Sequence, residues 1–194
     1  MTHFDIINDL PILDLETELN NMLYDNTLNW SKEGQICLNC TKSESHDYYE
    51  GCGSLGLDWS NSKKVIDNNG NEKLVVPNKS SSVGEKDFKY LCKVFYGTLF
   101  EDMYQSITEK FDVGRIRLMK SSPKTCLSWH IDYHKRIHFP IKTQEGCFMV
   151  IEDEVKHLDK GYWWETNTQV MHTAVNSSKE DRIHLVATFF GEKV

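Results

Sequence analysis

The sequence predicts a mainly β protein with N-terminal and mid-chain helices, an α+β chain, and three observations carry that expectation. Beyond Gly114, polar and apolar residues alternate in short runs such as Arg136-Ile137-His138-Phe139 and Arg182-Ile183-His184-Leu185. Successive side chains of a strand point to opposite faces, so these runs read as strands with one apolar and one polar side. Ahead of them, residues 85–111 carry an apolar stripe at helical spacing. Finally, 194 residues with 39% hydrophobic and 26% charged content suffice for a hydrophobic core without staples. One domain over residues 1–194 is expected, residues 1–112 giving a helical buttress with some strands and residues 113–190 the β core.

Taken in order, Leu10-Pro11-Ile12-Leu13-Asp14 reads as extended, and Asp14 is placed to cap a helix whose apolar residues Leu15, Leu19, Met22 and Leu23 share a face. Gln35 to Asn39 has the short apolar character of a strand, and the polar stretch from Ser43 to Gly56 that of an exposed loop. Asp67-Asn68-Asn69-Gly70-Asn71-Glu72 is a turn signal before a strand at 73–76, and Ser80-Ser81-Ser82 with Gly84 continues as a surface loop. From Glu85 to Phe111 the stripe Phe88, Leu91, Cys92, Phe95, Leu99, Met103 and Ile107 predicts helix, divided in two at Gly97. Strands are then expected at 115–119, 136–141, 147–152, 156–158, 169–176 and 182–190. If the helices cover the apolar face of this sheet, its polar face lines the inside.

Net charge of −7 and a pI near 5.6 argue against a nucleic-acid backbone as the main partner, because that affinity rests on clustered Lys and Arg. No apolar stretch approaches the length of a membrane span. Met1-Thr2-His3-Phe4-Asp5 opens without a basic segment and hydrophobic core, so the expected compartment is the cytoplasm and the six cysteines are expected as free thiols.

On this frame three residues stand out: His130 and Asp132 in Ser128-Trp129-His130-Ile131-Asp132-Tyr133, and His172 in Val170-Met171-His172-Thr173-Ala174. Two residues apart on an extended chain, His130 and Asp132 point the same way. Two imidazoles and one carboxylate are the ligand set of a non-haem Fe(II) site with open positions, here taken as metal-binding and catalytic. Arg182 opens the last apolar run, and its permanently charged planar fork suits bidentate capture of a carboxylate.

His130-x-Asp132, Arg136-Ile137-His138-Phe139-Pro140-Ile141, Gly161-Tyr162-Trp163-Trp164-Glu165-Thr166-Asn167, His172-Thr173-Ala174-Val175-Asn176 and Arg182 occur in that order. In this the chain resembles the 2-oxoglutarate-dependent Fe(II) oxygenases, and among them the aspartyl/asparaginyl β-hydroxylase-like branch, which also resembles some proline hydroxylases. The resemblance covers roughly Val113 to Phe190, and five ordered parts are far more specific than a lone His-x-Asp. Some members of that branch lack the carboxylate ligand, whereas Asp132 is present here.

The resemblance implies a double-stranded β-helix core of the jelly-roll or cupin type. It also implies Fe(II), 2-oxoglutarate as co-substrate and O2, with hydroxylation of an amino acid or peptide side chain and release of succinate and CO2. Arg182 is implied to hold the distal carboxylate of 2-oxoglutarate, with Arg136 and His138 as further contacts at whichever end they reach. Tyr133, Trp164 and Asn176 are substrate-side candidates by their closeness to the ligands, although Trp164 also suits core packing. His134 has the same proximity.

Two other readings compete. A non-catalytic cupin-like module would bind a metal or ligand without turnover. Separately, Cys37, Cys40, His46 and Cys52 supply the Cys3His inventory of a structural zinc site, against which Ile36-Cys37-Leu38 reads as buried strand. Substrate identity is set by loops at the site mouth, and free amino acids, peptides and small metabolites all stay open. Oligomeric state is not legible in the sequence.

Overall fold

The computed structural model describes residues 2–56, 62–66, 70, 72–75 and 83–193. Their regular elements are, in chain order, β1 (Phe4–Ile7), α1 (Leu15–Tyr24), β2 (Gln35–Cys37), β3 (Asn39–Cys40), β4 (Lys63–Ile66), β5 (Glu72–Val75), β6 (Tyr90–Leu91), α2 (Leu99–Lys110) and β7 (Phe111–Ser121). There follow β8 (Thr125–Cys126), β9 (Lys135–Lys142), β10 (Cys147–Ile151), β11 (Glu154–Lys156), β12 (Trp163–Thr166), β13 (His172–Asn176) and β14 (Arg182–Glu192). The strands from β7 onward, joined by β1 and β2, form a jelly roll: an antiparallel six-stranded sheet ordered β1-β12-β9-β14-β7-β2 faces a four-stranded one ordered β11-β10-β13-β8. Consecutive strands alternate between the two sheets over much of this run, which is how a double-stranded β-helix winds.

The large sheet has two unlike faces. On one, Ile116 and Leu118 of β7, Ile137, Phe139 and Ile141 of β9 and Leu185 and Ala187 of β14 join a single apolar cluster. Register places Leu118 opposite Leu185 and Leu185 opposite Phe139, so these side chains form a row across three strands. Both helices close over it, Leu15, Leu19 and Met22 from α1 and Phe100, Met103 and Ile107 from α2. Between those apolar positions stand Arg115, Arg117, Arg136, His138, Arg182, His184 and Thr188, all buried as well. Inward polar and outward apolar residues thus alternate as expected, with both sets out of water.

Helix α1 begins as expected, the Asp14 carboxylate accepting from Thr17 N at 3.2 Å. Residues 85–111 differ from expectation: only Leu99–Lys110 is α-helix, preceded by one-turn 3-10 helices at Glu85–Asp87 and Lys93–Phe95. Tyr90 and Leu91 instead pair with Cys40 and Asn39, and Gly97 adopts φ +74 just before Thr98 caps α2. A tertiary strand pairing overrides local periodicity there. The predicted turn at 67–72 and loop at 80–82 fall mostly outside the described residues, but the strands flanking the turn pair as a hairpin, Ile66 opposite Glu72.

Strands β1, β4, β6, β8 and β12 go beyond the expected set. Phe4–Ile7 pairs with Trp163–Thr166 at one end of the large sheet and Gln35–Cys37 pairs with β7 at the other, so the N-terminal residues add strands directly to the core sheet. Among the described residues no helix is long and apolar enough to cross a membrane.

Candidate metal centre

Residues His130 and His172 meet because they are directly opposed on neighbouring antiparallel segments. His130 N donates to His172 O at 3.1 Å and His172 N to His130 O at 2.9 Å, while Asp132 N, two residues on, donates to Thr168 O at 2.9 Å. The chain beyond β8 therefore continues along β13, bringing the two imidazoles to a ring separation of 4.2 Å with the Asp132 carboxylate on their side. One ligand atom from each of His130, Asp132 and His172 lies within 4.8 Å of the others. Among the described residues this is the group of three or more His, Cys, Asp or Glu side chains so arranged.

Each imidazole is oriented by a backbone carbonyl two residues upstream. His130 Nδ1 is 2.7 Å from Ser128 O and His172 Nδ1 is 3.0 Å from Val170 O. A carbonyl only accepts, so each Nδ1 carries the hydrogen and each Nε2 keeps its lone pair for the centre of the group. Burial lowers the His172 pKa, which favours the neutral, ligating form. Asp132 Oδ2 accepts from Arg136 Nε at 2.8 Å. The fit to a divalent iron is good: two imidazoles oriented by backbone carbonyls through Nδ1, with Nε2 toward the centre, and a carboxylate held by an arginine.

These side chains open into a small cavity between the sheets. Its polar lining includes Arg117, Arg136, His138 and Arg182, and its apolar lining Met119, Leu127, Met149, Ala174 and Val186. Arg182 is buried, its NH2 3.0 Å from His184 Nδ1, and among the described residues it has no ion pair. Loss of water draws its pKa down to about 10. Arg117 is likewise buried, drawn down to about 9 by desolvation and by its cationic neighbours Arg115 and Arg136; its NH1 donates to Gln35 Oε1 at 2.9 Å. His138 has no hydrogen-bond partner on either ring nitrogen among the described residues, and burial next to Arg182 holds it well below the usual imidazole range.

Arg136 and Arg182 sit at opposite ends of this interior. Arg136 faces Thr188 across the β9–β14 ladder, six residues along β14 from Arg182, or roughly 20 Å at the rise of a strand. Arg136 is at the Asp132 end, where its NH1 donates to Glu85 Oε2 at 2.8 Å and to Thr188 Oγ1 at 2.6 Å. The two arginines considered for the co-substrate therefore occupy different surroundings, one within an acidic network and one without a counter-charge among the described residues.

The substrate-side candidates are not brought to the cavity lining. Tyr133 points outward, 91% exposed. Trp164 packs between the sheets with Phe4, Met149, Ile151 and Leu158, and its Nε1 donates to Asp159 O at 3.3 Å. Asn176 is a buried clasp whose Nδ2 donates to Ser121 O at 2.9 Å and Glu180 O at 2.8 Å. His134 stacks edgewise on Phe190 at 4.6 Å. The zinc alternative also fails: Cys37, Cys40, His46 and Cys52 do not converge, Cys37 Sγ donating to Asn39 O and Cys40 Sγ to Lys42 O and Tyr90 O. Burial raises the Cys37 thiol to about 12, against ready metal ligation.

Glu85, Arg115, Arg117 and Thr188 were not singled out by sequence. For the arginines a signal existed, because Arg115-Ile116-Arg117-Leu118 alternates as Arg136-Ile137-His138-Phe139 does.

Comparison with known proteins gives these features a family. The model of the aspartyl/asparaginyl beta-hydroxylase family matches residues 74–191. L-proline cis-4-hydroxylase of Rhizobium meliloti (strain 1021) is 30% identical over 88 residues, covering 41% of this chain and 31% of that protein. The chain thus matches about a third of that relative's length. Among solved structures, an oxidoreductase of the 2OG-Fe(II) oxygenase family from Burkholderia pseudomallei aligns at 17% identity and TM-score 0.37 over 48% of this chain and 50% of that one. A cupin domain from Bordetella pertussis Tohama I aligns at 15% identity and TM-score 0.35 over 40% and 81% respectively. With the family model spanning more than half of its residues, this chain belongs to the aspartyl/asparaginyl beta-hydroxylase family.

Proposed function

We propose that the chain is an Fe(II)- and 2-oxoglutarate-dependent dioxygenase that hydroxylates an amino acid or a peptide side chain within one oxygenase domain. The observation that carries this reading is the opening of the His130, Asp132 and His172 group into the same cavity as a buried arginine that lacks an ion pair among the described residues. A buried guanidinium without a counter-charge is costly, and a dicarboxylate co-substrate is an anion that removes the cost.

His130 and His172 hold the iron through Nε2 and Asp132 through its carboxylate. With iron, 2-oxoglutarate and O2 bound, the centre supplies the oxidation that yields succinate and CO2 and places oxygen on a substrate carbon. Arg182 binds the distal carboxylate, its fork fixed by the bond to His184 Nδ1. His138, unpartnered among the described residues and lining the cavity, donates to the same ligand from the middle of the sheet. Met119, Leu127, Met149 and Val186 keep water from the reacting atoms. Arg117, a second interior cation without an ion pair among the described residues, favours a substrate with its own acid group, as a free amino acid has. Similarity to a proline hydroxylase makes proline the first compound to try.

Anaerobic Fe(II) with 2-oxoglutarate is expected to give a weak visible charge-transfer band, lost in both Asp132→Ala and His172→Ala. An unchanged band in the two variants would overturn the ligand assignment. A succinate-release screen over amino acids and peptides, followed by mass analysis for one added oxygen, identifies the substrate; co-substrate uptake without succinate would favour a binding module instead.

A further inference from the structure

Glu85 is not in either sheet of the jelly roll, yet it reaches the interior. It opens a one-turn helix, Glu85–Asp87, and its side chain is 16% exposed. Oε1 accepts from Arg115 NH2 and Oε2 from Arg136 NH1, each at 2.8 Å. Arg136 Nε in turn donates to Asp132 Oδ2 at 2.8 Å. Arg115, Glu85, Arg136 and Asp132 therefore form a line of alternating charge that ends on a residue of the metal centre.

The seat of this turn is built into the backbone. Gly114 lies beneath it, where a Cβ would stand 2.4 Å from Glu85 O and 2.8 Å from the Phe190 ring, so only glycine lets the turn sit so close to β7. Asn39 Nδ2 donates to Phe88 O at 2.9 Å and to Gly114 O at 2.8 Å, tying the same turn to the same strand. Arg115 is fixed by Gly51 O and Gly53 O, both 2.9 Å from its NH1.

We propose that Glu85 is a positioning residue for the metal centre, holding Arg136 so that its Nε grips Asp132 Oδ2, the oxygen 3.8 Å from His172 Nε2, and keeps that carboxylate turned toward the imidazoles. This rests on the reading of His130, Asp132 and His172 as the ligand set. A guanidinium prefers to bind a carboxylate through two parallel bonds. Here a single bond, from Nε, reaches Asp132, while NH1 is held by Glu85 and Thr188. Without Glu85 the guanidinium would lose one of the two carboxylates that fix it and be freer to turn, shifting the ligand it holds. It would also leave a surplus positive charge beside the centre, which repels a divalent cation.

The test is titration of the metal-free full chain with Co(II), a spectroscopic stand-in for Fe(II), read by its visible d–d bands. Glu85→Gln keeps shape and removes the charge; it is expected to weaken Co(II) binding about tenfold or more and to shift the bands, as loss of an outer-shell partner of a ligand does. Glu85→Asp, charged but shorter, is expected to restore part of both. If Glu85→Gln does not fold, the Glu85→Asp spectrum decides: a shifted spectrum supports the relay, and a wild-type one overturns it. Wild-type affinity and bands in a folded Glu85→Gln also overturn it. Asp132→Asn in the same titration keeps the two failures apart, because intact Co(II) binding there would reject the ligand set, whereas lost binding there beside a wild-type Glu85→Gln rejects the relay alone.

Discussion

The two faces of the six-stranded sheet are made by the same strands and are both hidden from water, yet they are opposite in chemistry. One packs Ile116, Leu118, Ile137, Phe139, Leu185 and Ala187 beneath α1 and α2. The other buries four arginines and two histidines, with Glu85 and Asp132 as the carboxylates that pair with them. Desolvation is repaid on the first face by apolar contact and on the second only in part, at Arg115 and Arg136. Arg117 and Arg182 keep their charge without an ion pair among the described residues. The comparison teaches where stability and function are stored: the outer face holds the jelly roll together, and the inner face keeps an electrostatic deficit that a ligand can fill.

The largest effect should come from the outer face. Phe139 is buried against Trp163 with ring centroids 4.6 Å apart, so Phe139→Ala is expected to lower the unfolding free energy by about 3–5 kcal/mol in urea denaturation. The folded fraction should bind Co(II) within about twofold of wild type, since His138 beside it points the other way. A tenfold loss of affinity would break the separation of the faces and show that packing on one sets geometry on the other.

This separation was legible in the sequence where alternation was unbroken. Arg136 to Phe139 and Arg182 to Leu185 show both faces residue by residue, and the i, i+2 spacing of His130 and Asp132 puts them together without further information. That His172 lies opposite His130 depends on register between distant segments, which spacing bounds but does not fix. Residues 85–98 show a different limit: Phe88, Leu91, Cys92 and Phe95 are buried as their stripe predicts, but in turns and a two-residue strand. Burial was readable there and conformation was not, because the partner strand at Asn39–Cys40 decides it. The groups that orient the imidazoles are backbone carbonyls and carry no sequence signal, and Glu85 reaches Arg136 across 51 residues with no periodicity to announce it.

A second prediction sharpens the comparison by inverting it. Arg182→Leu should weaken 2-oxoglutarate binding to the metal-loaded protein by about 100-fold, or roughly 2–3 kcal/mol for lost charge-assisted bonds, as read by anaerobic calorimetry. Metal affinity should change far less. Unlike Phe139→Ala, this substitution should leave the ligand-free chain as stable as before or more so, because it removes a buried cation without an ion pair among the described residues. A marked fall in the melting temperature of the ligand-free variant would mean that Arg182 is held for structure, and the inner face would lose its claim to a stored deficit.

The smallest effect is a pH dependence that only the inner face can supply. Burial, with Arg182 alongside, holds His138 and His184 well below the ordinary imidazole range, so both stay neutral in the folded chain while the unfolded chain takes up protons below about pH 6.5. The unfolded state then binds more protons, and stability rises with pH through that window: the contribution is whole above pH 6.5 and is lost as pH falls beneath it. Glu85, pushed up by burial but drawn down further by Arg136 and Arg115 to about 2, adds a separate loss from about pH 4.5 downward. Urea denaturation at pH 7.5, 6.5 and 5.5 should therefore show a decline that His184→Gln reduces by about 1 kcal/mol over the last unit, one proton being worth 1.4 kcal/mol per unit at most. An unaltered slope would place a proton on His184 in the folded state. Its Nδ1 would then be unable to accept from Arg182 NH2, and the bond that orients the guanidinium would have to be replaced by another.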